Sequence, residues 1–385
     1  MKESAVKSFI EEMFAWFHAH PELSYEEHET TAKLKEILSR EGIRILELPL
    51  ETGLVAEIGR GEAGMAALRA DIDALPIREE TGLPYASKNE GKMHACGHDF
   101  HTAAVLGAAL LLKGREDALP GRVRIVFQPA EEVSGGAGRV LATGVLKDAG
   151  AIFAIHTSSL LPVGTLGLSP GPVMAAVDRF VLRFRGKGCH AAHPDEGVDV
   201  IPLLAHFIGA AQTIVSRNAD PFAANLVSIT RVMAGNTWNV LPEVAELEGT
   251  TRSLRKKDRT LIKDRLYALA KGEAAAFGAT AEMEWHEGPP PTVNDAAWTE
   301  FALGVAKAQG YRLQPAPKSL AGEDFALYQE KLPGVFASVG TGVSAPNHSP
   351  KFIADPAALF PAAGFLAALA EGALDCSMGA FQRRL

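Results

Sequence analysis

The nine residues Met93-His94-Ala95-Cys96-Gly97-His98-Asp99-Phe100-His101 hold one cysteine and three histidines. A Cys-x-His pair just ahead of a helix supplies a thiolate and an imidazole at close spacing, and both suit zinc or a similar first-row ion. Alone, such a cluster decides little. A second group, Gln128-Pro129-Ala130-Glu131-Glu132, ends a strand-like run, where ligand sites of α/β sheets lie. Adjacent carboxylates on irregular backbone project in different directions. One can bind a metal while the other acts as general base on an activated water. A solvated acidic loop is the simpler account of Glu131-Glu132 alone. His156 directly follows the apolar run 151–155, and a lone histidine there is usually structural. His348, in Ala345-Pro346-Asn347-His348-Ser349-Pro350, proves as little by itself. Asp71-Ile72-Asp73, at another strand end, offers either ligands or groups that orient a histidine. Jointly these groups supply the cysteine, histidines and glutamate of a metal site, several of them just beyond strand-like runs.

The elements that must position them follow from periodicity. Residues 4–41 read as helix, broken near His20-Pro21, with a second helix from about Tyr25 to Gly42. Apolar runs at 53–58 and 65–69 read as strands, and 79–92 as a polar loop. A helix is expected over 101–113, a β-branched strand over 122–128, a helix over 136–143 and a strand over 151–155. This alternation points to an α/β layer with a largely parallel sheet flanked by helices. After Met174 the pattern changes. Strands at 178–185, 225–232, 244–252 and 280–286, with helices at 200–216 and 257–275, give a β-α-β-β-α-β order. That order fits a smaller α+β unit with an antiparallel sheet. Gly288-Pro289-Pro290-Pro291 is a stiff linker, and from Asp295 the first pattern resumes. The smaller unit is therefore inserted in the larger one.

With 385 residues, 47% of them hydrophobic, the chain can bury a sizeable core. Its net charge of -8 gives no basic face for nucleic acid and no reason to expect an anionic membrane partner. The N-terminus carries acids within its apolar pattern, so no signal peptide is read. No run of about 18 uninterrupted apolar residues suggests a membrane span, and the longest, 103–112, is too short. Three cysteines, Cys96, Cys189 and Cys376, are too few and odd in number for a disulfide framework, which points to a reducing, cytoplasmic setting. Cys96, beside histidines, reads as ligand or nucleophile, and Cys376 as inert.

Longer stretches carry a resemblance. They are His18-Ala19-His20-Pro21-Glu22-Leu23-Ser24, Arg69-Ala70-Asp71-Ile72-Asp73-Ala74-Leu75-Pro76, His94-Ala95-Cys96-Gly97-His98-Asp99 and Gln128-Pro129-Ala130-Glu131-Glu132. Further on come Gly186-Lys187-Gly188-Cys189-His190-Ala191-Ala192, Asn239-Val240-Leu241-Pro242, Gly249-Thr250-Thr251-Arg252 and Gly322-Glu323-Asp324-Phe325. In these, and in their order, the chain resembles the metallopeptidase family of the aminoacylases and glutamate carboxypeptidases. Within it, the chain is most similar to the amidohydrolase branch of hippurate hydrolases, auxin-conjugate hydrolases and N-acetyl-diaminopimelate deacetylases.

The resemblance implies a discontinuous catalytic domain, 1–176 and 290–385, and a lid at 177–289 that often dimerises, giving a homodimer or higher homo-oligomer. It implies two divalent ions per subunit, with zinc, manganese, cobalt and nickel all open. Cys96 is the implied bridge, and His98, Glu132, His156 and His348 the terminal ligands. Asp71 and Asp73 fall where other branches keep a His-x-Asp pair, and they are placed behind the ligands. Two departures stand out: the lid motif reads Gly188-Cys189-His190 instead of Gly-Gly-His, and Asp195 follows Pro194 where histidine is frequent.

The implied reaction removes the N-acyl group of an N-acyl amino acid or related small amide. Glu131 takes the proton of the attacking water and returns it to the leaving amine. His190, from the same subunit or its partner, stabilises the oxyanion. Arg252 is a candidate for the substrate carboxylate and Asn239 for an amide contact. His20, His94, His101 and His193 are read as structural or supporting. Two alternatives stay open: a metallocarboxypeptidase or dipeptidase of the same clan, and a non-catalytic metal-binding scaffold.

Overall fold

Four runs of aliphatic and β-branched residues are buried along nearly their whole length, as strands covered on both faces must be. In the computed structural model, which describes residues 2–375, they are Met65–Asp71, Arg122–Gln128, Ala151–Ser158 and Gly334–Gly340. Cys376 lies outside the described residues. The four strands run parallel at the centre of an eight-stranded sheet. Its order is Arg44–Ile45, Leu54–Ile58, Arg122–Gln128, Met65–Asp71, Ala151–Ser158, Gly334–Gly340, Thr165–Gly167, Arg312–Gln314. Antiparallel pairs occur only toward the flanks. The α/β architecture expected from the sequence is present, with a sheet that is parallel in the middle and mixed outside it. Because the central strands are parallel, Asp71, Gln128, Ser158 and Gly340 all end at one edge.

The helix His98–Lys113 is buried on every side but its last residue, and its small residues allow this. A Cβ on Gly107 would lie 2.8 Å from Ala363 and 3.0 Å from Ile10, side chains of the helices Leu359–Asp375 and Glu3–Ala19. The helix begins three residues earlier than periodicity suggested. Gly97, at a φ of 83°, turns the chain in the left-handed region and sets His98 in the first turn. The strand Ala151–Ser158 also runs on past 155, so His156 is a strand residue paired with Ser338, not the residue after a strand. The second helix starts at His28, later than expected, because Tyr25 has a φ of 70°.

The first unit ends at Gly171 and takes up the chain again at Val293–Pro317 and from Asp324. The second comprises Pro172–Thr292 and Lys318–Glu323. The sequence reading grouped the last segment with the first unit, but Ala175 N–H donates to the Ala321 carbonyl at 3.0 Å. The second unit has a four-stranded antiparallel sheet in the order Asn225–Ala234, Val244–Ser253, Ala176–Arg185, Thr280–Glu287. Burial alternates residue by residue along Val244–Ser253. The buried side chains, with Phe180, Leu182 and Phe184, pack on the helices Val200–Thr213 and Lys256–Ala276. On the other face, Arg183 pairs with Glu246 and Glu284, and Arg179 with Glu248. Two helical stretches, Val200–Asn218 and Pro356–Leu374, are long and apolar enough to cross a membrane by composition. Each contributes residues to a unit's core.

One buried charge triad ties the first helix to the start of the helix His98–Lys113. His18 Nδ1 lies 2.6 Å from Asp99 Oδ2, and its Nε2 lies 3.1 Å from Glu79 Oε1. Burial opposes the imidazolium, but the two carboxylates outweigh it and push its pKa up to about 10. The triad's contribution is full below the unfolded imidazole value of about 6.5 and is lost as pH rises toward about 10. Urea unfolding followed from about pH 6 to 10 should show a fall in stability that His18→Gln lacks; the same slope in both proteins would refute the assignment.

Candidate metal centre

The shared edge of the parallel strands, together with the first turn of the helix His98–Lys113, gathers the chemistry. Cys96 Sγ lies 3.5 Å from His156 Nε2. Glu132 Oε1 lies 3.8 Å from His98 Nε2 and 3.6 Å from His348 Nε2. The donor atoms of Cys96, His98 and His156 are within 4.8 Å of one another, as are those of Cys96, Glu132 and His348, and those of His98, Glu131 and Glu132. The first unit therefore brings together Cys96, His98, Glu131, Glu132, His156 and His348, residues spread over most of its length.

Backbone and buried acids aim these side chains. His98 Nδ1 lies 2.8 Å from the Asp73 carbonyl, and His156 Nδ1 lies 2.8 Å from the Thr157 carbonyl. A carbonyl only accepts, so Nδ1 carries the proton in both rings and Nε2 is left facing the cluster. His348 is held by a left-handed backbone, φ 65°, and by its N–H on the Ala95 carbonyl at 2.8 Å. Its ring is half exposed. Asn347 Nδ2 donates to the Cys96 carbonyl at 3.1 Å. Asp73 stands behind the pair of glutamates. Its carboxylate accepts from Glu131 N–H at 3.1 Å, Glu132 N–H at 3.0 Å and the Ser24 hydroxyl at 2.7 Å.

Asp71 is not at the cluster's centre but in the charge layer beneath it. Its carboxylate accepts from Arg69 at 2.7 Å and faces His101 Nδ1 at 2.6 Å. His101 Nε2 in turn accepts from Thr157 N–H at 2.9 Å, so His101 is the neutral Nδ1–H tautomer. Burial pushes its pKa down to about 4, consistent with that state. The sequence reading left His101 as a supporting residue and gave Arg69 no role. Arg69 is fully buried and also donates to Gln128 Oε1 at 2.9 Å and Asp324 Oδ1 at 3.0 Å. The signal available for it was an arginine in an otherwise apolar strand, two residues before Asp71.

The donors suit a divalent cation. Burial, with Glu132 and Glu131 adding to it, pushes the Cys96 thiol up to about 12. A nearby cation is what turns such a thiol into a ligand. For His98, burial disfavours the imidazolium, but the Asp71 charge and the Asp73 hydrogen bond hold it well above its ordinary range. Its Nε2 is buried and makes no hydrogen bond, so a cation there would replace a stranded proton. Burial, with the neighbouring His98 and His156, lowers the pKa of His348 and favours its neutral, ligating form. A sulfur, imidazole and carboxylate set of this kind fits zinc or another first-row ion. Cys96 is common to two of these donor groups.

The second unit holds the other predicted residues. His190 is exposed in the two-residue strand Cys189–His190, paired with Val240–Leu241. Ala191 N–H donates to the Asn239 carbonyl at 3.0 Å, so His190 and Asn239 are near neighbours. Arg252 lies on the strand Val244–Ser253, donates to the Thr251 carbonyl at 2.9 Å and makes no ion pair among the described residues.

The pattern of peptidase family M20/M25/M40 matches residues 67–372. An N-acetylcysteine deacetylase of Bacillus subtilis (strain 168) is 47% identical over 377 residues, which are 97% of this chain and 99% of that one. Thermostable carboxypeptidase 1 of Saccharolobus solfataricus is 36% identical over 360 residues, 91% of each chain. The crystal structure of the Bacillus subtilis YXEP protein, a dinuclear metal binding peptidase, has a TM-score of 0.88 at 44% identity and covers 97% of this chain and 99% of that one. Matched by the family pattern over most of its length and by such relatives over nearly all of it, the chain belongs to peptidase family M20/M25/M40 and is a metal-dependent amidohydrolase.

Proposed function

We propose that the protein deacylates N-acetylated or similarly small N-acyl amino acids in the cytoplasm, using two divalent ions. The observation that carries this reading is the convergence of Cys96, His98, Glu132, His156 and His348, with Glu131 beside His98 and Glu132. Cys96, His98, Glu132, His156 and His348 would hold the ions, with Cys96 common to both, and zinc, manganese, cobalt and nickel all suit such donors. When bound, the ions would polarise the amide carbonyl and bring the pKa of a water toward neutrality.

The chain's own residues do the rest. Glu131 is buried beside Glu132, its backbone tied to Asp73. It takes the water's proton as the amide carbon is attacked and delivers it to the departing nitrogen. His190 is the candidate oxyanion donor. Arg252, half-buried and lacking an ion pair among the described residues, is the candidate for the product's carboxylate, and Asn239 for an amide contact. The N-acetylcysteine deacetylase among the relatives makes acetyl-amino acids the first substrates to test. The carboxypeptidase relative supports a second reading, cleavage of a peptide bond, and turnover of acetyl-, benzoyl- and peptidyl-amino acids separates the two.

The second unit also supports a homodimer. Phe222 is 97% exposed and Trp238 92% exposed, and Val232 and Met233 are exposed on the edge strand Asn225–Ala234.

Glu131→Gln should retain both metals by elemental analysis and lose about 100-fold to 10,000-fold in kcat; near-normal turnover would remove Glu131 from the reaction. Chelation should abolish hydrolysis and added ion restore it. Cobalt-loaded protein should show a thiolate-to-metal absorption that Cys96→Ser lacks, and an unchanged spectrum would exclude Cys96 as ligand. Sedimentation should report the mass of two chains, falling to one chain in Phe222→Ser/Trp238→Ser; a monomeric parent protein would end the dimer reading.

A further inference from the structure

The N–H groups of Ala130, Glu131 and Glu132 follow one another, and all three donate to buried carboxylates. Two go to Asp73. The first, from Ala130, goes to Glu27 Oε1 at 2.8 Å. Ala130 has a φ of 52°, the left-handed region that a residue with a Cβ enters only at a cost. It is fully buried, and its carbonyl accepts from Gly135 N–H at 3.1 Å and Gly136 N–H at 3.2 Å. The turn that carries the two glutamates is thus folded around a strained residue whose N–H has a single acid as acceptor.

Glu27 is built into that place. It is 0% exposed, it precedes the helix His28–Arg40, and it makes no ion pair among the described residues. The other carboxylate oxygen, Oε2, is buried and has no hydrogen-bond partner among the described residues, and burial raises the pKa of the group. A Cβ on Gly53 would lie 2.6 Å from both the Phe127 carbonyl and the Pro129 ring, so the chain there packs directly against the start of the turn. An acid buried without a cation is costly, and the bond to the Ala130 N–H is what it gives in return.

We propose that Glu27 is a positioning residue for the hydrolysis: by holding the Ala130 N–H it fixes the left-handed turn that presents Glu131 to the water and Glu132 to the metal. This rests on the reading of Glu131 as base. What matters in it is an acceptor at the reach of Glu27 Oε1, not the charge.

The test compares kcat, KM, bound metal and unfolding midpoint in Glu27→Gln, Glu27→Asp and Glu27→Met. Glu27→Gln keeps an acceptor at the same reach and should hold kcat within about threefold. Glu27→Asp falls short by a methylene and should lose about 10-fold to 100-fold in kcat, with KM and both metals unchanged. Ala130→Gly, which enters the left-handed region freely, should recover part of that loss. Unchanged kcat in Glu27→Asp overturns the proposal, and so does a loss in Glu27→Gln as large as in Glu27→Asp, or a loss that only follows metal or stability. Should Glu27→Asp not fold, Glu27→Met decides, since it keeps the length of the side chain and removes the acceptor: kcat several-fold lower with metal retained supports the proposal, and unchanged kcat overturns it. If Glu131→Gln abolishes turnover while Glu27→Asp does not affect it, only the role of Glu27 falls. If Glu131→Gln keeps turnover, there is no base to position and both readings fall.

Discussion

The Asp73 carboxylate is the fixed point of the candidate metal centre. It receives the N–H groups of Glu131 and Glu132 and the hydroxyl of Ser24, while the Asp73 carbonyl takes the proton of His98 Nδ1. Two residues earlier, Asp71 is clamped between Arg69 and His101. The charges are buried, so each bond acts in a medium of low polarity and each missing partner would be costly. The strand Met65–Asp71 thereby sets two acids into the protein at defined depths, and the cluster is assembled on them. Without the Asp73 carboxylate the N–H groups of the two glutamates would have no common anchor, while the backbone carbonyl would still hold His98.

Much of this was legible in the sequence, and the reasons are local. Cys96 and His98 are two residues apart, Glu131 and Glu132 are adjacent, and both motifs follow elements whose periodicity is plain. The same holds for the second unit, where alternation along 244–252 marks one wet and one dry face of an antiparallel strand. What the sequence could not supply were relations between distant segments. His101 looked like one more helix residue, because its two partners, Asp71 and Thr157, lie on separate strands. Arg69 reads as an anomaly until Gln128 and Asp324 are seen around it. Glu27 is one acid among several in Tyr25-Glu26-Glu27-His28-Glu29, and nothing in that stretch singles it out. Element ends moved for a related reason: Gly97 and Tyr25 adopt left-handed backbone that packing selects, which shifts the start of each following helix.

The two units solve different surface problems with the same alternation rule. In the first, the central strands are dry on both faces and function is displaced to their ends. In the second, helices cover one face of the sheet, and the other carries arginines and glutamates paired across neighbouring strands. Cross-strand pairs of this kind fix register more than they add stability, since exposed ion pairs contribute little. Large apolar residues left outside in this unit include Phe222, Trp238, and Val232 and Met233 on the edge strand Asn225–Ala234, where Arg231 joins the same charged lattice through Glu246 and Glu248.

The strand Gly334–Gly340 occupies an inner position of the main sheet, between Ala151–Ser158 and Thr165–Gly167, although it is made nearly half a chain later. During synthesis the first half must therefore emerge from the ribosome with a gap in its sheet. It waits, two strand edges unpaired, while the whole second unit is translated. Closing such a gap late is slow, and open edges invite pairing with other chains. A nascent chain stalled before residue 334 would be a client for chaperones or proteases, not a smaller working enzyme.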